Sequence, residues 1–235
     1  MARKRVTRGD FLRTACLGGA ALAVSCAAGG ESLRRRRRPN IVVVLSDDHG
    51  YRSVGYTNPA VKTPNLDRLG GEGVIFERAY VATPICAASR ASLMTGLFPQ
   101  QHGAVALDAS EFQRSVVEEK RLPTLAQLLA GAGYDTALWG KSHLGPPRGY
   151  GFAEGEELKD LTDDQTFASA AQFIERRKSN PAPFFLWVAA RQPHIPLNPG
   201  PEWIDLYRDA EIPIDPNFRE SPPRESVYNL SLIHI

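Results

Sequence analysis

Cys86 stands four residues before Arg90 in the stretch C-A-A-S-R-A-S-L-M-T-G, just ahead of an expected helix start. Backbone N–H groups left unpaired at a helix N-terminus and a guanidinium can converge on one anion, so a nucleophile there is set up for chemistry on a negatively charged group. The competing assignment is an inert buried thiol, because free cysteine is among the most buried residue types. Asp47 and Asp48 are a second candidate. Adjacent carboxylates repel unless a cation lies between them, and hard divalent ions such as calcium or magnesium take oxygen ligands. An acidic turn is the alternative, since Asp-Asp-His-Gly is good turn chemistry. Lys141 and His143 could bind an anion and shuttle a proton, or be a solvated charge and a satisfied core group. His194 is either a member of the same site or a loop histidine pinned between Pro193 and Pro196.

The elements expected around these residues bring them to one edge. Residues 40–45, N-I-V-V-V-L, form a continuous β-branched run of the kind found in a strand buried on both faces, and Asp47 and Asp48 follow it. A strand at 134–139 precedes Lys141 and His143, and a buried strand within P-F-F-L-W-V-A-A precedes His194. In an open α/β sheet the ligand site lies beyond the carboxyl ends of the strands. Between the strands, T-P-N-L-D-R-L-G-G-E-G reads as a short helix and 74–76 as a strand. The chain after Cys86 reads as a helix stopping near Gly96, with Pro99 beyond, which sets Cys86 at the positive end of the helix dipole. Residues 122–133 give an amphipathic helix with Leu125, Leu128, Leu129 and Ala132 on its apolar face. Residues 163–178 give another, with Phe167, Ala170, Ala171 and Ile174 inward and Asp163 and Asp164 in an acidic first turn. Beyond Glu202 the proline-rich chain reads as an irregular loop over the site.

Composition sets the frame. A chain of 235 residues at 43% hydrophobic suffices for one sizeable core, and alternating strand and helix patterns favour a single α/β domain. The first 38 residues hold ten of the 28 basic residues and two of the 26 acidic ones; the remainder carries 18 against 24, a formal −6. That balance argues against a nucleic-acid-binding surface on the folded part. Residues 1–30 read as a signal peptide or lipoprotein leader, with a basic start and an apolar run from Ala15 to Ala28. T-R-G-D-F-L-R is similar to a twin-arginine export signal with Gly9 in place of the second arginine, and Ala23-Val24-Ser25-Cys26 to a lipoprotein cleavage site with Cys26 as the lipidated residue. Residues 31–38 form a basic tether, and the arginines at 34–38 oppose translocation. The expected location is exported, periplasmic or in the cell envelope, with membrane attachment only through a lipid. Cys16 and Cys26 fall in the leader, which leaves Cys86 no partner for an internal disulfide.

Cys86, Ala88, Arg90, Leu93, Thr95, Gly96, His102 and Gly103 together resemble the sulfatase signature, Cys-X-Pro/Ala-X-Arg followed by Leu-X-Thr-Gly and a His-Gly pair. Thr-Pro-Asn-Leu-Asp-Arg-Leu, Gly-Lys-X-His at Lys141 and His143, and Pro-His-X-Pro at His194 are also similar to elements of that family. The resemblance covers residues 39–199. It implies an alkaline-phosphatase-like mixed sheet flanked by helices, here truncated, with residues 39–235 as the N-terminal part of the catalytic domain. It also implies that Cys86 is oxidised to formylglycine by a formylglycine-generating enzyme or an anaerobic sulfatase maturase. The implied metal is calcium, with magnesium second, held by Asp47, Asp48 and the modified Cys86. Arg90 and Lys141 would steady the nucleophile and neutralise sulfate oxygens, His194 would contact sulfate and protonate the leaving group, and His143 would help expel sulfate.

The implied reaction is hydrolysis of a sulfate ester or N-sulfate of a small molecule or glycan. G-K-S-H-L-G-P and the Gln-Gln-His-Gly after Pro99 look somewhat like sulfamidases. Formylglycine-dependent phosphonate monoester hydrolases and phosphodiesterases are the enzymatic alternative, and a non-catalytic anion-binding envelope protein the other. Sulfatases are longer than this chain, and no Asp-Asn or Asp-His pair for their remaining metal ligands follows Leu197. Residues 231–235 match nothing expected of the family, so a truncated reading frame is suspected, with an uncovered sheet edge that favours aggregation.

Overall fold

The computed structural model describes residues 38–108, 110–156, 162–197 and 199–210. The chain divides into two compact units, Met1–Arg38 and Pro39–Ile235, and the described elements belong to the second. The leader at 1–30, Cys16, Cys26, the tether up to residue 37 and residues 231–235 lie outside the described residues.

Among the described residues the sheet has four strands: β1 (Ile41–Leu45), β2 (Asp135–Gly140), β3 (Glu154–Glu156) and β4 (Phe184–Ala189). Their order is β1-β4-β2-β3. All the pairings are parallel, with Leu45 and Gly140 both in register with Ala189. The mixed sheet expected from the sequence is represented among the described residues by this parallel part. Phe184–Ala189 is apolar throughout and buried throughout, as a central strand covered on both faces must be. Alternation along β4 divides the core in two. Phe185, Trp187 and Ala189 join Met94, Phe112, Leu138, Tyr150 and Phe152, whereas Phe184, Leu186 and Val188 join Ala137, Ala170 and Phe173.

The helices are α1 (Pro64–Glu72), α2 (Cys86–Thr95), α3 (Pro99–His102), α4 (Ser110–Phe112, continuing as a π-helical turn Gln113–Glu118), α5 (Leu125–Gly131), α6 (Asp163–Arg176) and α7 (Pro201–Asp205). Thr124 and Thr162 start α5 and α6 with reciprocal capping boxes through Gln127 and Gln165. Each such cap stabilises its helix by about 1 kcal/mol. Residues of α2, α4 and α5 pack into the first core and residues of α6 into the second.

Four expectations change. Residues 74–76 form no strand; Val74 and Phe76 are exposed, and no neighbouring strand pairs with them among the described residues. Among the described residues β1 is an edge strand rather than one buried on both faces. Ile41, Val43 and Leu45 pack on the first core, while Val42 and Val44 are 47% and 61% exposed on the side where α6 covers β2 and β4. The inward faces of two helices agree with the sequence reading only in part: α5 packs the expected Leu129 on the core but buries Ala126 and leaves Leu125 and Leu128 exposed, and α6 buries the expected Ala170 together with Thr166 and Phe173 and leaves Phe167 and Ile174 exposed. The chain near residue 202, expected as an irregular loop, contains the short helix α7.

Candidate active site

Parallel register decides where the candidate side chains go. β1, β2 and β4 end together at Leu45, Gly140 and Ala189, so the chain leaves all three at one edge, carrying Asp47 and Asp48, Lys141, and Arg191 to His194 respectively. Helix α2 then delivers Cys86, its first residue, to the same place. The Lys141 ammonium donates to Asp47 Oδ2, and Arg90 Nη2 lies 3.5 Å from Asp47 Oδ1. Arg90 Nη1 also donates to the Lys141 carbonyl at 2.5 Å, tying α2 to the loop after β2. Candidate ligand atoms of Asp47, Cys86 and His194 lie within 4.8 Å of one another, and His194 Nε2 is 3.7 Å from Asp48 Oδ2.

Local chemistry holds these groups in place. Asp48 takes φ +57°, a left-handed conformation that aspartate tolerates better than most residues. His49 brackets the turn that follows, accepting from Ser46 Oγ at Nδ1 (2.9 Å) and donating from Nε2 to the Ser53 carbonyl (2.8 Å). His194 Nδ1 donates to its neighbour's carbonyl, Ile195 O, at 2.5 Å. That partner fixes a proton on Nδ1 and leaves Nε2 as the working nitrogen. His143, with φ +57°, lies two residues after Lys141 on the loop leaving β2. Arg90 is buried, with a side chain 4% exposed.

Charge in the site is balanced around Asp47. Burial alone would push its carboxyl up, but the Lys141 hydrogen bond and the positive charges of Arg90, Lys141 and His194 outweigh burial and hold it below the ordinary aspartate value. The Cys86 thiol moves the other way. Burial raises it first and the Asp47 and Asp48 charges add to that, against smaller opposing effects of Lys141 and Arg90. An unmodified Cys86 is therefore a protonated and poorly reactive thiol, since the thiolate is the nucleophile.

The structure brings Asp47, Asp48, Cys86, Arg90, Lys141 and His194 together. Other members of the signature serve the helix. Gly96 ends α2 in the left-handed conformation at φ +72°, with its N–H bonded to the Ser92 carbonyl. His102 is buried and clamps α2 from the side through Ser92 Oγ at 2.9 Å, while its Nδ1 accepts from the Ala104 N–H. Two supporting residues escaped the sequence reading: His49, seen only as part of a turn, and Asp163, seen only as a helix-start acid. Asp163 accepts hydrogen bonds from the N–H groups of Arg191 and Gln192. No local pattern signals a bond between residues 28 positions apart.

A family model described as Sulfatase matches residues 39–229. Human N-sulphoglucosamine sulphohydrolase is 34% identical over 160 residues, 66% of this chain and 32% of that protein. The ulvan-active sulfatase of Formosa agariphila is 29% identical over 211 residues, 76% of this chain and 40% of that protein. Among solved structures, a protein in complex with its substrate D-glucosamine-2-N,6-O-disulfate superposes with a TM-score of 0.65 at 26% identity, covering 77% of this chain and 40% of that one. The chain thus spans less than half the length of these relatives.

Proposed function

The chain belongs to the sulfatase family, and from that premise we propose that it is part of a formylglycine-dependent hydrolase of sulfate esters or N-sulfates, its substrate a sulfated sugar or glycan. The observation that carries the proposal is the meeting of Asp47, Cys86 and His194 within 4.8 Å at the N-terminus of α2, with Lys141 and Arg90 on the same carboxylate. The donor set fits a divalent cation: two adjacent carboxylates at a strand end, with an oxygen in place of the Cys86 sulfur after oxidation. Asp47, Asp48 and residue 86 would hold it, with calcium ahead of magnesium because adjacent carboxylates suit the larger ion's irregular shell better than magnesium's strict octahedron. When present, the formylglycine hydrate supplies a nucleophilic hydroxyl and the cation supplies charge neutralisation.

The chain's own residues do the rest. Lys141 neutralises sulfate oxygens, and Arg90 holds the Lys141 carbonyl so that ammonium and helix start stay in fixed relation. His194, anchored at Nδ1 and carrying a second proton on Nε2 as the imidazolium, gives that Nε2 proton to the departing alcohol or amine, a contribution worth about 10²- to 10⁴-fold in rate. His143 accepts a proton as sulfate leaves. The likeness to a sulphoglucosamine sulphohydrolase and to a protein holding a glucosamine disulfate supports an amino-sugar substrate. A formylglycine-generating enzyme or maturase is the required processing partner. The basic and apolar start at 1–30 supports export to the periplasm or envelope, with Cys26 as a lipid attachment point and 31–38 as a tether.

The test is sulfate release by the full-length protein, matured with a formylglycine-generating enzyme, from N-sulfoglucosamine, glucosamine 6-sulfate and 4-nitrophenyl sulfate beside a phosphonate monoester. Cys86→Ala should abolish turnover by about 10³-fold or more. Retained sulfate release in Cys86→Ala would overturn the nucleophile, and preferred phosphonate cleavage would replace the substrate class.

A further inference from the structure

The ladder between β1 and β4 ends where the Ala190 N–H donates to the Leu45 carbonyl, so the next two amides have no strand to bond. One carboxylate takes both. Asp163 Oδ1 accepts from Arg191 N at 2.7 Å and Oδ2 from Gln192 N at 2.8 Å. Asp163 is the first residue of α6, where the helix dipole favours a negative charge, and the capping box of Thr162 and Gln165 fixes that helix start. From there the loop is tied into the site. The Gln192 carbonyl accepts from the Asp47 N–H at 3.3 Å, and the His194 N–H donates to the Arg191 carbonyl at 2.9 Å. His194 Nε2 then faces Asp48, 3.7 Å away.

We propose that Asp163 is the positioning residue for His194: its two carboxylate oxygens fix the 191–194 loop and so set where the Nε2 proton of His194 is delivered. Resting on the hydrolytic function proposed above, the role needs a carboxylate, because only that group offers two equivalent acceptors to two adjacent N–H donors. Asparagine offers one acceptor and turns an NH₂ toward the other amide. A misplaced general acid costs rate in proportion to how much the leaving group needs its proton.

Asp163→Asn in the matured full-length protein is expected to lower kcat about tenfold on glucosamine 6-sulfate, whose alkoxide leaves poorly, with KM within about twofold. On 4-nitrophenyl sulfate, whose phenolate leaves unaided, the loss should be less than about twofold. In a His194→Ala background, Asp163→Asn should cost less than about twofold on either substrate, because both changes act through one group. Equal losses on the two substrates, or a full loss in the His194→Ala background, would show a merely structural role and overturn the proposal. If Asp163→Asn does not fold, Asp163→Glu, with both acceptors one methylene further out, should show the same leaving-group dependence, and an unchanged rate ratio would overturn it. If the parent protein releases no sulfate, the hydrolytic function falls by itself. The positioning role then stands or falls on NMR of the full-length protein: a shifted His194 ring signal and faster exchange of the Gln192 amide in Asp163→Asn support it, and unchanged spectra refute it.

Discussion

Asp47 is buried and still ionised because Lys141 and Arg90 both reach its carboxylate. Removing its charge leaves two cations facing a neutral amide, so Asp47→Asn should cost about 3–5 kcal/mol of unfolding free energy in denaturant titration, the range for breaking a buried ion pair. The same change should weaken calcium binding by the full-length protein in calorimetry; unaltered affinity would remove Asp47 from the proposed ligands. His102 behaves oppositely with pH. Burial lowers its pKa from the ordinary 6.5 against the raising effect of its hydrogen bond to the Ala88 carbonyl, so the folded state binds fewer protons than the unfolded state below that value. Its stabilising contribution is complete above pH 6.5 and is lost as pH falls through the lowered folded-state value. The unfolding midpoint should therefore fall on acidification from pH 7.5, and His102→Asn, lower at the start by about 1–3 kcal/mol for the lost hydrogen bonds, should show a flatter profile. Cys86, Arg90, Asp47 and Asp48 were legible as candidates because each pairs a reactive group with a strand or helix end. The roles of His49, His102 and Asp163 were not, since a histidine's tautomer and a carboxylate's partner depend on groups brought close only by folding.

Strand and helix ends carry their own test in two glycines that a sequence treats alike. Gly140 closes β2 at φ +95°, and a Cβ there would lie 2.1 Å from the Ala189 carbonyl oxygen and 2.8 Å from Thr166 Cγ2. Backbone cannot retreat cheaply, so Gly140→Ala should cost at least about 3 kcal/mol and shift Lys141, its neighbour in the site. Gly96, at φ +72°, would meet nothing within 4 Å, so Gly96→Ala should cost only the left-handed strain of about 1 kcal/mol. Thermal unfolding of the two variants separates clash from strain; similar losses would mean that β2 and β4 part without cost. β1, β2 and β4 were readable from their apolar β-branched and aromatic runs, and the end of α2 from Gly96; β3, whose Glu-Gly-Glu has no apolar run, and the Thr124 and Thr162 caps were not. The inward faces of α5 and α6 were legible only in part: Leu129 and Ala170 face the core as read, but Ala126 and Phe173 take the places expected of Leu125 or Leu128 and of Phe167 or Ile174, because apolar residues recur around both helices and only packing on the sheet chooses among them.

The assembled fold is that of the alkaline-phosphatase-like sulfatases, a parallel sheet with helices on both faces. Its covering is uneven: on the α6 side, β1 shows Val42 and Val44 to solvent along the edge of the sheet. An exposed apolar edge strand invites pairing with other chains. Val44→Lys should therefore reduce light scattering of the 235-residue chain at fixed concentration, with its unfolding midpoint within about 0.5 kcal/mol of the parent. Equal scattering by both proteins would show that association proceeds through another surface. The formal −6 outside the first 38 residues has no bearing on this edge, because net charge acts at long range and pairing at contact.

Residue types and spacing by themselves determined the family resemblance, the three strands that carry the site, four of the described helices and the list of reactive side chains, because these rest on local periodicity and short motifs. The shared sheet edge was expected; parallel register decided the contacts there, because it ends β1, β2 and β4 together and so brings Asp47, Cys86 and His194 within 4.8 Å and Lys141 onto Asp47. The bond from Asp163 to the His194 loop, the buried Arg90 link to Lys141 and the bare face of β1 all follow from that packing. None has a counterpart in local sequence, since each is a contact between segments that only the folded core holds at bonding distance.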